Sequence, residues 1–360
     1  MGILAKIPEP VREITKSLAP DSWVEGARRA VLRRYDPSII VARESAAKRW
    51  FSRHVLRLYY LPSMVSRESA AKRWFSTRIL GKRPRLYHFE IHVTDHCNLN
   101  CRGCGHFSNL CPPTFLGLDE FESDVTAVAE RLDVDDVWLL GGEPLLHPQI
   151  DEFVRIARRC FPRTRISVQT NSTLVTRMGQ EFWSALAETN TVLLCDLYPI
   201  GLPVDEINAL GAKHGVTVEW TGYRSEFFKL PIDIEGRQDP ANSFLRCDGL
   251  CNCPVVRHGR IYPCPFAAYA DVFAAHFGIA GLDVTDADSM SVRDDRDPRE
   301  IMDFLLKPIP WCRHCDFDSF EMYPWGRSRR QLDEWITTPP PDSGAEKDIG
   351  CGVCSFQGSR

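Results

Sequence analysis

From Arg85 onward the chain alternates short apolar runs with longer segments in which apolar residues recur every three or four positions. The runs LYHFEIHVT (86–94), DVWLL (136–140), RISVQT (165–170), TVLLCDLY (191–198) and VTVEWT (216–221) read as strands. Between them, 118–132 and segments near 149–160, 179–188 and 204–214 carry the helical period. Strands alternating with helices of this length predict a parallel sheet covered by helices. Ligands of such sheets bind beyond the carboxyl ends of the strands.

The flanks have different textures. Before residue 86, RESAAKRWFS occurs at 43–52 and again, unchanged, at 67–76. Each copy can form a helix, with Glu44 four residues before Lys48 and Glu68 four before Lys72. Trp50, Phe51, Trp74 and Phe75 supply an apolar face. Beyond about residue 240 the period is lost and a cysteine-rich region begins. TTPPPDSGAEKD (337–348) reads as a linker. The expected division is a basic helical appendage (1–85), an α/β core (86–240), a cysteine-rich domain (241–335) and a tail with a CxxC pair (336–360).

Composition sharpens this division. The net charge of −4 hides 19 Lys+Arg against 7 Asp+Glu in residues 1–85, a local +12, so the remainder carries −16. The basic segment therefore suits packing as an appendage, or docking to an acidic partner or a membrane surface. It contains no specific nucleic-acid-binding motif. No apolar run reaches the ~20 residues of a membrane span, and MGILAKIPEPVREITKS lacks the apolar stretch of a secretory signal. A cytoplasmic location is expected. Fourteen cysteines in such a chain favour metal or redox chemistry over structural disulfides.

Cys97, Cys101 and Cys104 form C-x3-C-x2-C directly after the first strand of the alternating region. Tetrahedral zinc wants a fourth ligand, whereas a [4Fe–4S] cluster on three thiolates keeps one iron open. Cys111 would close that cluster if it were a ligand. The next strand ends in LLGGEPLLHP (139–148), where Gly141 and Gly142 permit close backbone approach and the Glu143 carboxylate can hold an ammonium group. The third strand ends in QTNS (169–172), which adds amide donors and acceptors at the same edge.

With these three strand ends the chain resembles the radical S-adenosylmethionine (SAM) superfamily over about residues 86–225. The resemblance implies a partial (β/α)6 TIM-like barrel, a SAM-binding [4Fe–4S] cluster on Cys97, Cys101 and Cys104, and a flavodoxin- or ferredoxin-type reductant. It also implies that Gly141, Gly142 and Glu143 receive the methionine end of SAM, with Asn171 and Ser172 near its ribose or carboxylate. The 5′-deoxyadenosyl radical of that family removes hydrogen from unactivated C–H bonds. The family usually has an aromatic residue just before the third cysteine. Here that residue is Gly103, and Phe107 is expected to take over packing by the adenine.

A second resemblance lies downstream. Eleven residues separate Cys247 from Gly259 and four separate Gly259 from Cys264, and Cys312-x2-Cys315 follows. This resembles the twitch and SPASM extensions of the same superfamily, with the one-cluster twitch form favoured. It implies a small C-terminal α+β domain with one auxiliary [4Fe–4S] cluster on Cys247, Cys264, Cys312 and Cys315. The same four thiolates also suit zinc, and Cys251 or Cys253 could replace Cys247. RHGRIYPC (257–264) suits a hairpin with Gly259 in its turn. Cys351-x2-Cys354 is a redox dithiol, a surface pair, or half of a further metal site with Cys251 and Cys253. Cys160 reads as packing. Cys195, near the end of the fourth strand with Asp196 and Tyr198, is a candidate hydrogen-atom donor or a core thiol.

The resemblance points to hydrogen abstraction from a small sugar-like or aminocyclitol molecule, giving dehydrogenation or epimerisation. A peptide-modifying maturase is the alternative. An electron carrier is the remaining one and requires Cys111 to close the first cluster.

Overall fold

Five strands and four helices alternate through the centre of the chain: β1 (Arg85–Thr94), α1 (Leu118–Arg131), β2 (Asp133–Gly141), α2 (Ile150–Cys160), β3 (Arg165–Thr170), α3 (Gln180–Glu188), β4 (Val192–Leu197), α4 (Val204–His214) and β5 (Val218–Tyr223). Every one matches an expected segment to within a few residues. The structure, a computed structural model, describes residues 65–66, 70–247 and 253–337. The first copy of the repeat, most of the basic segment, Cys251, and the tail with Cys351 and Cys354 lie outside the described residues. Of the second copy, Ala70–Trp74 is helical, and Trp74 and Phe75 are exposed.

β1 to β5 pair in parallel and in chain order. Register aligns Ile91, Leu139, Val168, Leu193 and Val218 in one row on the helix-facing side of the sheet. That row packs with Phe121, Val125, Phe153, Ile156, Phe182 and Leu186 from the helices into the main core. Burying each such side chain stabilises the fold by roughly 1.5–3 kcal/mol. The opposite face carries His88, Glu90 and His92 on β1, Gln169 on β3 and Asp196 on β4. Side chains alternate between faces along a strand, so a polar inner face and an apolar outer one come from the same sequence.

The sixth parallel strand, β7 (Val255–Arg257), adds to the β1 edge rather than beyond β5. It turns through His258 and Gly259, both at positive φ (51° and 73°), into β8 (Arg260–Tyr262). This is the expected hairpin, and β9 (Met290–Ser291) continues the sheet. The sheet keeps two free edges, β5 and β9, so the barrel is partial. A separate antiparallel pair joins β6 (Glu226–Lys229) to β10 (Glu321–Pro324). A second apolar cluster gathers Leu230, Ile232, Phe266, Trp311 and Trp335 with Phe107 from the loop after β1. Among the described residues, no helix is long and apolar enough to cross a membrane.

Candidate metal centre

The loop from Asp95 to Gly117 leaves the carboxyl end of β1 and carries Cys97, Cys101 and Cys104. The turn after β2 lies against it: the Gly142 amide donates to Thr94 O (2.9 Å) and the Glu143 amide to His96 O (3.1 Å). A Cβ on Gly142 would overlap His96 O and stand 2.7 Å from the Cys97 nitrogen, and one on Gly141 would overlap Thr94 O. These glycines therefore let the turn touch the cysteine loop's own backbone, in addition to any ligand.

The Glu143 side chain is fully buried and points toward β3. Its carboxylate accepts from Thr170 Oγ1 (2.6 Å), the Asn171 amide (2.8 Å) and the Leu145 amide (3.1 Å). Burial pushes its carboxyl up to about 7 against these bonds. The carboxylate expected to hold an ammonium group is thus engaged in joining the ends of β2 and β3. Asn171 donates to Asn98 Oδ1 (2.8 Å), and its Nδ2 stands 3.6 Å from Cys97 Sγ. Ser172, at φ 69°, is buried and donates to Asp196 O. Its left-handed backbone turns the hydroxyl toward the end of β4.

Donors converge on all three sulfurs. The Leu99 amide reaches Cys97 Sγ (3.4 Å), and Trp325 Nε1 reaches Cys101 Sγ (3.3 Å). Backbone amides of Ser108, His106 and Asn109 face Cys104. Burial pushes all three thiols up, Cys101 to about 12. Thiolates in such a place need a bound cation, and hydrogen bonds to the sulfurs are how proteins tune iron–sulfur clusters. The donor set therefore fits a cluster. Burial pushes the Cys111 thiol up to about 12, and the charges of Asp95, Arg257, Asp271 and Cys104 bear on it.

Phe107 is not at this centre. It is fully buried, at φ 52°, and packs on Phe266 and Phe273 at ring distances of 5.6 and 5.0 Å. The expected adenine contact is overturned because the loop turns this ring into the second core. What stands at Gly103 is Tyr323 of β10. Gly103 has φ +64°, and a Cβ there would collide with the Tyr323 hydroxyl, which donates to Arg102 O (2.8 Å). Trp325 and Tyr323, about 220 residues along the chain, thus contact the first cysteine loop. Nothing in their local sequence marks them.

Cys247, Cys264, Cys312 and Cys315 line one apolar cavity with Phe244, Phe266, Ile309, Trp311 and Phe317. The charges of Cys247, Cys264 and Cys312 bear on Cys315, and burial raises Cys264, Cys312 (to about 12) and Cys315. Cys253 is not among the lining residues; its thiol bonds to Glu90.

Of the two readings of Cys195, its place in the structure is that of a core thiol. Strand alternation sends it with Leu193 to the helix-facing side, where it is fully buried in the main core. Burial raises its thiol to about 12. The next residue, Asp196, faces inward and accepts from Gln169 Nε2 (3.2 Å), Thr221 Oγ1 (2.7 Å) and Arg224 NH2 (2.8 Å). Tyr198 stands beside it, 6.1 Å from the Trp325 ring. This polar network crosses β3, β4 and β5 at the rim near the cysteines.

Residues 91–203 match the family described as the Radical SAM superfamily. The chain is 28% identical over 127 residues to a GTP 3′,8-cyclase of Alkaliphilus oremlandii, covering 34% of this chain and 36% of that protein. It is 38% identical over 88 residues to one of Chlorobaculum tepidum, covering 24% and 26%. The chain thus spans about a third or less of the length of these curated relatives. Among solved structures it is similar to BtrN in complex with AdoMet and 2-DOIA, at 15% identity and a TM-score of 0.40, covering 64% of this chain and 94% of that one.

Proposed function

We propose that this chain, whose residues 91–203 form a radical SAM domain, oxidises a small, polar, hydroxyl- or amine-bearing molecule of the sugar or aminocyclitol class by two electrons. A [4Fe–4S] cluster with SAM supplies, when bound, the 5′-deoxyadenosyl radical that removes a hydrogen atom. In this reading Cys97, Cys101 and Cys104 hold that cluster. Gly141 and Gly142 present backbone groups beside it, and Asn171 fixes the Cys97 side of the loop. Glu143 acts as a positioning residue, because its carboxylate bolts the turn to β3. The substrate's hydroxyls are matched by the inward polar groups of Gln169, Asp196, Thr221 and Arg224.

The observation that carries the oxidative reading is the second set of four thiols around one apolar cavity. Four cysteines leave no position for substrate, so a cluster there serves electron transfer. Epimerisation through a cysteine donor is less well supported, since Cys195 lies in the core. The test is product analysis in deuterated buffer with a panel of candidate sugars and aminocyclitols. A carbonyl product supports the proposal; an inverted carbon carrying deuterium would overturn it.

A further inference from the structure

A third group of side chains lies on the inner face of β1, outside both cysteine sets. His88, Glu90 and His92 alternate on that face, and His106 reaches it from the cysteine loop. The ligand atoms of Glu90, His92 and His106 all lie within 4.8 Å of one another. His88, Glu90 and Cys253 form a second such group that shares Glu90. Glu90 and His92 are 4% and 5% exposed.

Two of the atoms in the first group lack a partner within the protein. Glu90 Oε2 and His92 Nε2 are buried with no hydrogen-bond partner. Glu90 Oε2 faces His106 Nε2 at 3.7 Å, too far for a hydrogen bond and suited to two ligands of one ion. Buried polar atoms without partners are rare in native proteins and each one calls for an explanation. The His92 ring is held in place by stacking on Tyr269 (4.3 Å, 21°) and lies edge-on to His106 at 4.8 Å. Of the nearby charges, Asp95 stands 3.6 Å from His92 and 4.0 Å from Arg257, which also pairs with Asp271.

We propose that Glu90, His92 and His106 form a mononuclear site for a divalent transition-metal ion of the zinc or ferrous class. Two imidazoles and one carboxylate are the donors these ions take, with further positions left open. The ion would sit on the inner face of the sheet, placed to bind an oxygen or nitrogen of a molecule held there. The site uses no cysteine of either set.

The test counts metal against sulfide. The full chain is reconstituted anaerobically, incubated with zinc and freed of loose ions by gel filtration. Iron plus zinc is then measured by mass spectrometry and inorganic sulfide by colorimetry. Because a [4Fe–4S] cluster holds iron and sulfide equally, the site predicts one metal ion per chain beyond the sulfide count. Glu90→Gln and His106→Gln are expected to lower that excess at least tenfold while sulfide stays unchanged. Glu90→Gln, on β1 and outside the cysteine loop, decides the matter if His106→Gln disturbs the loop. No excess in the wild type, or an equal excess in Glu90→Gln, would overturn the proposal.

Discussion

Gly103→Ala measures how tightly the second half of the chain is seated on the first cysteine loop. Its Cβ would collide with the Tyr323 hydroxyl and stand 3.3 Å from Cζ. At φ +64° an alanine costs about 1 kcal/mol in backbone strain. Displacing Tyr323 loses its 2.8 Å bond to Arg102 O, worth about 1 kcal/mol net. Forcing a buried ring aside adds about 1–3 kcal/mol. The single variant is therefore expected to cost about 3–5 kcal/mol, and Tyr323→Phe alone about 1. Combining them removes the collision with the hydroxyl, leaving the strain and the lost bond at about 2 kcal/mol. The double variant should thus be more stable than Gly103→Ala alone. Urea denaturation of the metal-free chain, followed by tryptophan fluorescence, reads the difference. The reasoning fails if Gly103→Ala costs no more than the backbone strain, or if Tyr323→Phe deepens its defect instead of relieving it.

Other outcomes follow from the same contacts. Cys101→Ala should lose the first cluster and about four irons per chain, whereas Cys111→Ala should keep them, as iron analysis after reconstitution will report. Replacing Cys264 and Cys312 together by alanine should remove a different set of about four irons and leave the first cluster's spectrum in place. Trp325→Phe removes the donor to Cys101 Sγ and should lower the first cluster's reduction potential in electrochemical titration, because a hydrogen bond to a sulfur ligand favours the reduced form; an unchanged potential would count against that contact. Cys195→Ala should cost about 1–2 kcal/mol of stability as a small core truncation and leave product stereochemistry untouched.

The alternating region was legible because each strand and helix there states its period locally. Register then follows from burying the apolar row through Ile91, Leu139 and Val168. Spacing selected the cysteine sets, and Cys247, Cys264, Cys312 and Cys315 line one cavity. What sequence could not show is non-local. The β6–β10 pair joins segments more than 90 residues apart, and it is this pair that brings Tyr323 to Gly103 and Trp325 near Cys101. Direction was equally hidden: Phe107 looked free to face a ligand until its left-handed backbone placed it in the second core. At the end of β4 a shift of one residue decides which side chain faces inward, so Asp196 rather than Cys195 reaches the rim. The site on β1 was missed because HFEIH reads as an ordinary strand, and its partner His106 comes from the loop.

The central claim is that three thiolates on the first loop hold a cluster whose open iron engages SAM. The most direct measurement is 5′-deoxyadenosine released by the anaerobically reconstituted chain, supplied with SAM, dithionite and the candidate substrates, beside Cys101→Ala. Release by the wild type and none by the variant is the predicted result. Wild-type protein carrying about eight irons per chain, the load of two [4Fe–4S] clusters, yet releasing no 5′-deoxyadenosine, would contradict the account.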